Sequence, residues 1–402
     1  MSVAVLGGGI TGVLTALMLA EKGYLVEIFD REAGILQRAS LNNEGKIHLG
    51  YVYGGDQSFE TASRMIDDAL SFRPVVERFV SAENFEGCLV DPFQYIIPPS
   101  SLLTYEAIRH HFMRVDKEVR RRSQAGDRRY VSNTDPFDCV FGEAEDGSGS
   151  AIVETQECAV WPAGIAALLT EAVMAHPRIG VRPRTQVREV RRAGSGWMLI
   201  NEAPASGDGP FNVVVNAAWA GRRQIDAVSG HPCGETWLTR YKFGIVLERA
   251  REMFGGELPV NGTGTSGPFG DSVYYPQNDT LYCCWYPVGC CFSTTSEFSL
   301  DPPDFTESVK SLSEKTWAGY AGLDPAYRKL LTGAQEYSCH LVGDYIMAKG
   351  DTDISDRESG LHYRFDHRPQ QLAPGYWSVE TGKYVSAPRL ADQLVRAIVG
   401  AA

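Results

Sequence analysis

The sequence predicts an α/β fold, with one discontinuous domain on a parallel sheet and a smaller α+β domain on a mixed or antiparallel sheet. Three observations carry that reading. A strand–glycine turn–helix–strand unit opens the chain, apolar strand segments return in its middle, and a strand–turn–helix unit closes it. Segments of the first domain therefore fall at 1–80, 151–230 and 336–402, and the second domain is inserted as 81–150 and 231–335.

The opening stretch VAVLGGGITGVLTALMLA, residues 3–20, carries no charged side chain. A membrane span needs about 20 apolar residues, and consecutive glycines interrupt this one. A signal peptide would begin with a basic segment, which is missing. VAVL (3–6) suits a strand buried on both faces. Gly7, Gly9 and Gly12 then form G-x-G-x-x-G. The helix that follows carries Leu14, Leu17 and Met18 on one face and ends at Lys22-Gly23. YLVEIF (24–29) is a second strand, closing on Asp30. Gly7 permits the tight turn, Gly9 lets a diphosphate approach the backbone, and Gly12 lets helix and strand pack closely. Free N–H groups at the positive end of the helix dipole face the phosphates, and Asp30 accepts from a ribose diol. Strand, motif, helix, strand and acid in this order read as dinucleotide binding.

A chain of 402 residues, 44% apolar and 22% charged, is long enough for two parts sharing a substantial core. A net charge of −12 weighs against a nucleic-acid partner. The basic run RRRSQAGDRR (120–129) reads as a solvated loop. Nine cysteines without framework spacing read as free thiols in a reducing compartment, so a cytoplasmic location is expected. Four of them crowd into CCWYPVGCC (283–291), which reads as two strands around a Pro287-Val288-Gly289 turn. Neighbouring strand residues point to opposite faces, so the sulfurs would not converge on one ion and no metal is expected.

The remainder separates NAD from FAD. An NAD enzyme would continue with another β-α-β pair. Here the polar, glycine-bearing ASLNNEGKIHLGYVY (39–53) comes first, then a helix-like run over 58–72. A flavin enzyme of the glutathione-reductase type folds such a segment along the ribityl chain. Later segments return to the nucleotide sheet: a helix in 160–177, strands in 179–192 and 196–201, and a buried strand in 212–219. Residues 374–400 are strand, Gly-Lys turn and a helix carrying Leu390, Leu394 and Ile398. That last helix could aim its dipole at the flavin N1–C2=O edge.

GGGITG with Asp30, SLNNEGKIHLGYVY, TQVREV, VVVNAAW and GYWSVETGKYVSAPRLA together resemble the FAD-dependent oxidoreductases of the D-amino-acid oxidase (DAO) superfamily. Glycine and sarcosine oxidases, L-2-hydroxyglutarate dehydrogenase and glycerol-3-phosphate dehydrogenase belong to it. The resemblance is strong in order through the cofactor-binding half and weak across 81–150 and 231–335. It implies a Rossmann-type, glutathione-reductase-like domain binding FAD. Gly7, Gly9, Gly12 and Asp30 match its ADP-binding positions, Ser40 the small polar residue near the phosphates, and Val187 the residue whose backbone meets adenine. Ile10, Thr11, Arg31, Asn43, Lys46, Ala217, Ala218 and Val385 complete the expected cofactor contacts. Gly382-Lys383-Tyr384 looks like the G-K-W/Y turn of the glycerol-phosphate branch. Ile47-His48-Leu49-Gly50 resembles the I-H-x-G of the hydroxyacid and glycerol-phosphate branches. It also resembles a W-H-x-x-G segment whose His carries the flavin covalently, although noncovalent contact or proton handling is the expectation for His48.

Flavin enzymes place a substrate C–H against N5, while protein groups anchor the substrate and manage one proton. An anionic anchor calls for Arg or Lys with Tyr. Lys242, Tyr274, Tyr275 and Arg364 are the candidates, each with a structural ion pair or core tyrosine as its plain alternative. His48, Lys242, Tyr275 and Arg364 form the expected catalytic set. The expected reaction is oxidation of a C–N bond in a small amine or amino acid, with oxygen or a quinone or other electron carrier as acceptor. Oxidation of a C–OH bond in a hydroxyacid or polyol phosphate is the first alternative. A flavin monooxygenase is the second, for which Gly343-Asp344-Tyr345 is a poor version of the usual G-D-A-x-H segment.

Overall fold

The structure is a computed structural model describing residues 1–401, apart from 125–127, 133–137, 144–149, 202–206, 297–298, 333–336, 354–355, 357–358 and 364–366. One sheet has six strands, in the order Pro369–Ala373, Tyr376–Val379, Val213–Asn216, Ser2–Leu6, Leu25–Phe29 and Ile179–Arg182. All neighbours are parallel except the Pro369–Ala373 edge. Start, middle and end of the chain therefore meet in one sheet.

The uncharged opening is explained by its packing. Helix Ile10–Glu21 is buried at every position from Ile10 to Ala20. It lies against the first sheet strands on one side and helices Pro162–Ala175 and Ala387–Ala401 on the other. A helix apolar all round is what such a site demands. Gly7 takes φ +94° in the preceding turn, and its N–H donates to Phe29 O at 2.8 Å. A Cβ on Gly12 would lie 2.0 Å from Gly7 O, so only glycine lets helix and turn approach this closely.

The second sheet is organised by the long strand Trp237–Glu248. One of its edges pairs antiparallel with Cys339–Lys349 from Trp237↔Lys349 to Leu247↔Cys339. Its other edge is taken in succession by Cys290–Thr294 and Thr280–Cys283. Asp271–Tyr275, Gly262–Gly264, Gln94–Ile97, Ala151–Glu154 and Val140–Glu143 extend the sheet. It is antiparallel except where Gly262–Gly264 runs parallel to Gln94–Ile97.

Four details depart from the sequence reading. Strands Ala151–Glu154 and Cys339–Lys349 hydrogen-bond into this second sheet, although both were allotted to the nucleotide-binding part. The segment 179–192 is two strands. Pro183 and Arg184, at φ +52°, turn the chain out of the parallel sheet. Val187–Ala193 then joins Gly196–Asn201 and Gly207–Phe211 in a small antiparallel sheet. The basic run begins inside helix Tyr105–Ser123, where Arg120, Arg121 and Arg122 occupy the last turn; cations there suit the helix dipole. Finally, Cys283 and Cys290 sit in strands joined by a helical turn, Tyr286–Gly289, that continue along one edge of the long strand.

Candidate active site

A cavity of about 1280 Å³ lies between the two large sheets. That exceeds the ~300–1,000 Å³ of an ordinary small-molecule cleft, leaving room for a long cofactor and a second ligand. One end is bordered by Gly7, Gly9, Ile10, Thr11, Asp30, Arg31, Ser40, Val187, Ala217 and Ala218. Asn43, Lys46, His48, Gly382, Lys383 and Tyr384 border it further along. The wall from the second sheet presents Arg240, Lys242, Thr263, Asp271 and Tyr282, with Tyr286 from the adjoining turn. Of the expected residues, Gly12, Tyr274, Tyr275 and Val385 do not border it, and the Tyr274 hydroxyl donates instead to Asp279 at 3.1 Å. Gly12 is spent on helix–turn packing, and Tyr275 and Val385 are buried in the protein. Arg364 lies outside the described residues.

The end at the glycine turn presents a helix N-terminus to the cavity. Helix Ile10–Glu21 opens on Gly9, whose lack of a side chain leaves the helix uncapped from that position. The Ile10 N–H donates to Ser40 Oγ at 2.9 Å. Asp30 accepts from the Gly8 N–H at 2.7 Å and the Glu32 N–H at 2.8 Å, which fixes its carboxylate at the turn. Burial pushes the Asp30 carboxyl above its ordinary value, against these two donors. The Thr11 and Thr381 hydroxyls meet at 2.8 Å, tying the first helix to the carboxy-terminal turn. Arg31 is drawn away toward Leu300 O, 2.8 Å, and Glu32, 3.1 Å.

The other end is a buried charge network. Asn43 shapes its loop, donating to Ala39 O and accepting from the Gly45 N–H. Lys46 lies between the Phe93 and Tyr95 rings, its ammonium bonded to Thr263 Oγ1 and paired with Glu157 at 3.3 Å and Asp271 at 3.6 Å. It therefore borders the cavity mainly as the counter-charge of two acids. Lys242 pairs with Glu44 at 3.3 Å and Asp271 at 3.7 Å, and stands 3.5 Å from the Tyr286 hydroxyl. Burial is the largest single effect and opposes both charges, but Lys242 with His48 and Lys383 together outweigh it at Glu44, and Glu44 with its buried neighbours outweighs it at Lys242. The Glu44 carboxyl is held well below its usual range and the Lys242 ammonium well above.

His48 is 5% exposed, and neither ring nitrogen has a hydrogen-bond partner. Burial first, then the Lys383 ammonium, lowers its affinity for a proton, so the resting imidazole is neutral at pH 7. A neutral imidazole in a closed cavity is equipped to accept a proton.

Three residues bordering the cavity escaped the sequence reading, Glu44, Asp271 and Arg240, and so did Glu157 behind it. The Arg240 side chain is 4% exposed, bonded through Nη1 to Asp353 at 2.6 Å, while its Nε is buried without a partner. The alternation in TRYKF does signal that Arg240 and Lys242 share a strand face. Glu157 and Asp271 carry no local signal. Among the described residues no group of three or more His, Cys, Asp or Glu side chains is arranged for a metal ion. No helix among them is long and apolar enough to cross a membrane.

A helix opening on a glycine turn, an acid fixed beside it and a cavity running on to a buried imidazole fit FAD. Residues 2–331 match the family described as DAO, FAD dependent oxidoreductase, and the chain belongs to that family, whose cofactor is FAD. Its relatives include the tRNA 5-methylaminomethyl-2-thiouridine biosynthesis bifunctional protein MnmC of Shewanella sp. (strain W3-18-1), 26% identical over 234 residues. That match covers 56% of this chain and only 32% of the relative. Glycine oxidase from Geobacillus kaustophilus shares the fold with a TM-score of 0.64 at 16% identity, covering 98% of this chain and 94% of that one. The FAD-bound L-α-glycerophosphate oxidase of Mycoplasma pneumoniae superposes with a TM-score of 0.64 at 13% identity, covering 99% and 95%.

Proposed function

We propose that this FAD-dependent oxidoreductase oxidises the C–N bond of a small amine or amino acid. The observation that carries the reading is the buried His48 imidazole on the cavity wall with its Nε2 3.9 Å from the Glu44 carboxylate, where burial disfavours a charged ring. An amine arrives as its ammonium and must lose a proton before it can give up hydride. Glu44 attracts the ammonium and His48 Nε2 takes the proton. Arg240 and Lys242, two residues apart on one strand face, receive an anionic group of the substrate and orient it. The glycine turn, Ser40 and the carboxy-terminal turn hold the cofactor, and FAD supplies the hydride acceptor at N5.

The names of two relatives point the same way. One acts in making an aminomethyl nucleoside of tRNA and another oxidises glycine. With a net charge of −12, a small amine suits this chain better than a tRNA. The second reading, oxidation of a hydroxyl, draws on the same imidazole and on the glycerophosphate oxidase fold. Anaerobic mixing with amino acids, simple amines, hydroxyacids and glycerol 3-phosphate separates the two by loss of the flavin absorbance. Bleaching by an amine or amino acid is expected. Bleaching by hydroxyl compounds alone overturns the proposal. Admitting air then distinguishes an oxidase from a dehydrogenase.

A further inference from the structure

We propose that Glu157 is a positioning residue that keeps the His48 proton on Nδ1 and leaves Nε2 bare toward the cavity. Its use in catalysis rests on the amine-oxidation reading, whereas its test does not. The ring stands between two carboxylates, with Nδ1 3.8 Å from Glu157 Oε1 and Nε2 3.9 Å from Glu44 Oε1. Both separations are within ion-pair reach and beyond hydrogen-bond length, and both nitrogens are buried without a partner.

The two carboxylates are not equivalent. Glu157 stands behind the cavity wall and is fixed three ways: Oε2 accepts the Leu49 N–H at 2.6 Å, and Oε1 accepts the Tyr95 hydroxyl at 2.5 Å and faces Lys46 at 3.3 Å. Glu44 borders the cavity, where it pairs with Lys242 at 3.3 Å and feels the Lys383 ammonium. A neutral imidazole has one N–H for these two acids. Placing it on Nδ1, against the fixed acid, puts the lone pair of Nε2 on the side where a ligand enters. A carboxylate behind a histidine is a general device for choosing its tautomer. When a substrate ammonium delivers its proton, an N–H bond breaks, its electron pair stays on nitrogen, and a new Nε2–H bond forms. The imidazolium then lies between two opposite charges. Lys46 and Lys383 oppose this state from the other directions, and Lys242 and Asp271 balance one another behind Glu44.

The experiment is nitrogen-15 NMR of the holoenzyme labelled at histidine, with His48 assigned through His48→Asn. Long-range proton–nitrogen correlations report which ring nitrogen is protonated, and a pH titration gives the midpoint. Wild-type protein at pH 8 should carry its proton on Nδ1. Glu157→Asp should keep that tautomer. Glu157→Gln should lose it and titrate roughly one pH unit lower or more, since an opposite charge at this range is worth about that much. Should Glu157→Gln fail to fold with Lys46 uncompensated, Lys46→Met/Glu157→Gln is compared with Lys46→Met alone. A wild-type proton on Nε2, or an unchanged midpoint without Glu157, overturns the proposal. A failure of the flavin-bleaching panel leaves this result untouched, so the two ideas are separately refutable.

Discussion

Replacing Gly9 by alanine should separate cofactor binding from folding. A Cβ at Gly9 would stand 3.1 Å from Ser40 Oγ and within 4 Å of nothing else, and Gly9 has an ordinary φ of −71°. The hydroxyl end of Ser40 can yield by a few tenths of an ångström, so the apoprotein should keep its melting temperature. The added methyl nevertheless occupies the space where a diphosphate would approach the helix N–H groups. Losing one hydrogen bond to a charged group costs about 1.5–3 kcal/mol. At 1.4 kcal/mol per decade, that corresponds to FAD binding about 10- to 150-fold weaker. Quenching of flavin fluorescence on titration of apoprotein measures it. Gly12→Ala is the contrasting control. Its Cβ would press on Gly7 O and Val5 Cγ1, so it should lower the melting temperature as well, by roughly 1–3 kcal/mol of overpacking or more. An FAD affinity within threefold of wild type for Gly9→Ala would refute the diphosphate cradle.

Lys242→Met should reverse a pH dependence. In the wild type, the depressed Glu44 pKa adds stability above about pH 4.3 that is lost as pH falls through the folded value. Without Lys242, burial dominates, the folded pKa rises above the unfolded one, and stability is instead lost as pH rises. Melting curves should place the variant about 3–5 kcal/mol below wild type at pH 8, with a smaller gap at pH 5; parallel profiles refute this. Lys383→Met removes a cation from the cavity wall. The flavin potential should fall, by about 30 mV if the charge is worth ~1.4 kcal/mol to the two-electron reduced state; an unchanged potential removes the idea. Acid precipitation should release all the yellow colour into the supernatant, whereas colour retained in the pellet would point to a covalent His48–flavin bond.

The strand–glycine turn–helix unit was legible because its parts are contiguous. Gly7, Gly9, Gly12, the helix and Asp30 lie within one stretch, and local geometry dictates each residue type. The returning strand Val213–Asn216 and the closing Tyr376–Val379 were also readable, as apolar runs ending in small residues or a glycine turn. Lys242 was visible only as a charged residue in an otherwise apolar strand, and nothing nearby marked its partner. Tyr275 was readable as part of an aromatic strand; its hydroxyl is buried without a hydrogen-bond partner, off the cavity lining but near enough to feel the charges of Glu44 and Lys242.

Sequence alone determined a strand–glycine turn–helix unit at the start of the chain and the return of the far end of the chain to its sheet, because turn sterics and strand burial are settled over a few residues. Only the tertiary structure decided that Glu44, Lys46, Glu157, Lys242 and Asp271 would form one linked charge network reaching His48. Those residues come from segments up to 227 positions apart, as the numbers of Glu44 and Asp271 give (271 − 44). Charge pairing in a dry interior depends on distance in space, which no local pattern records.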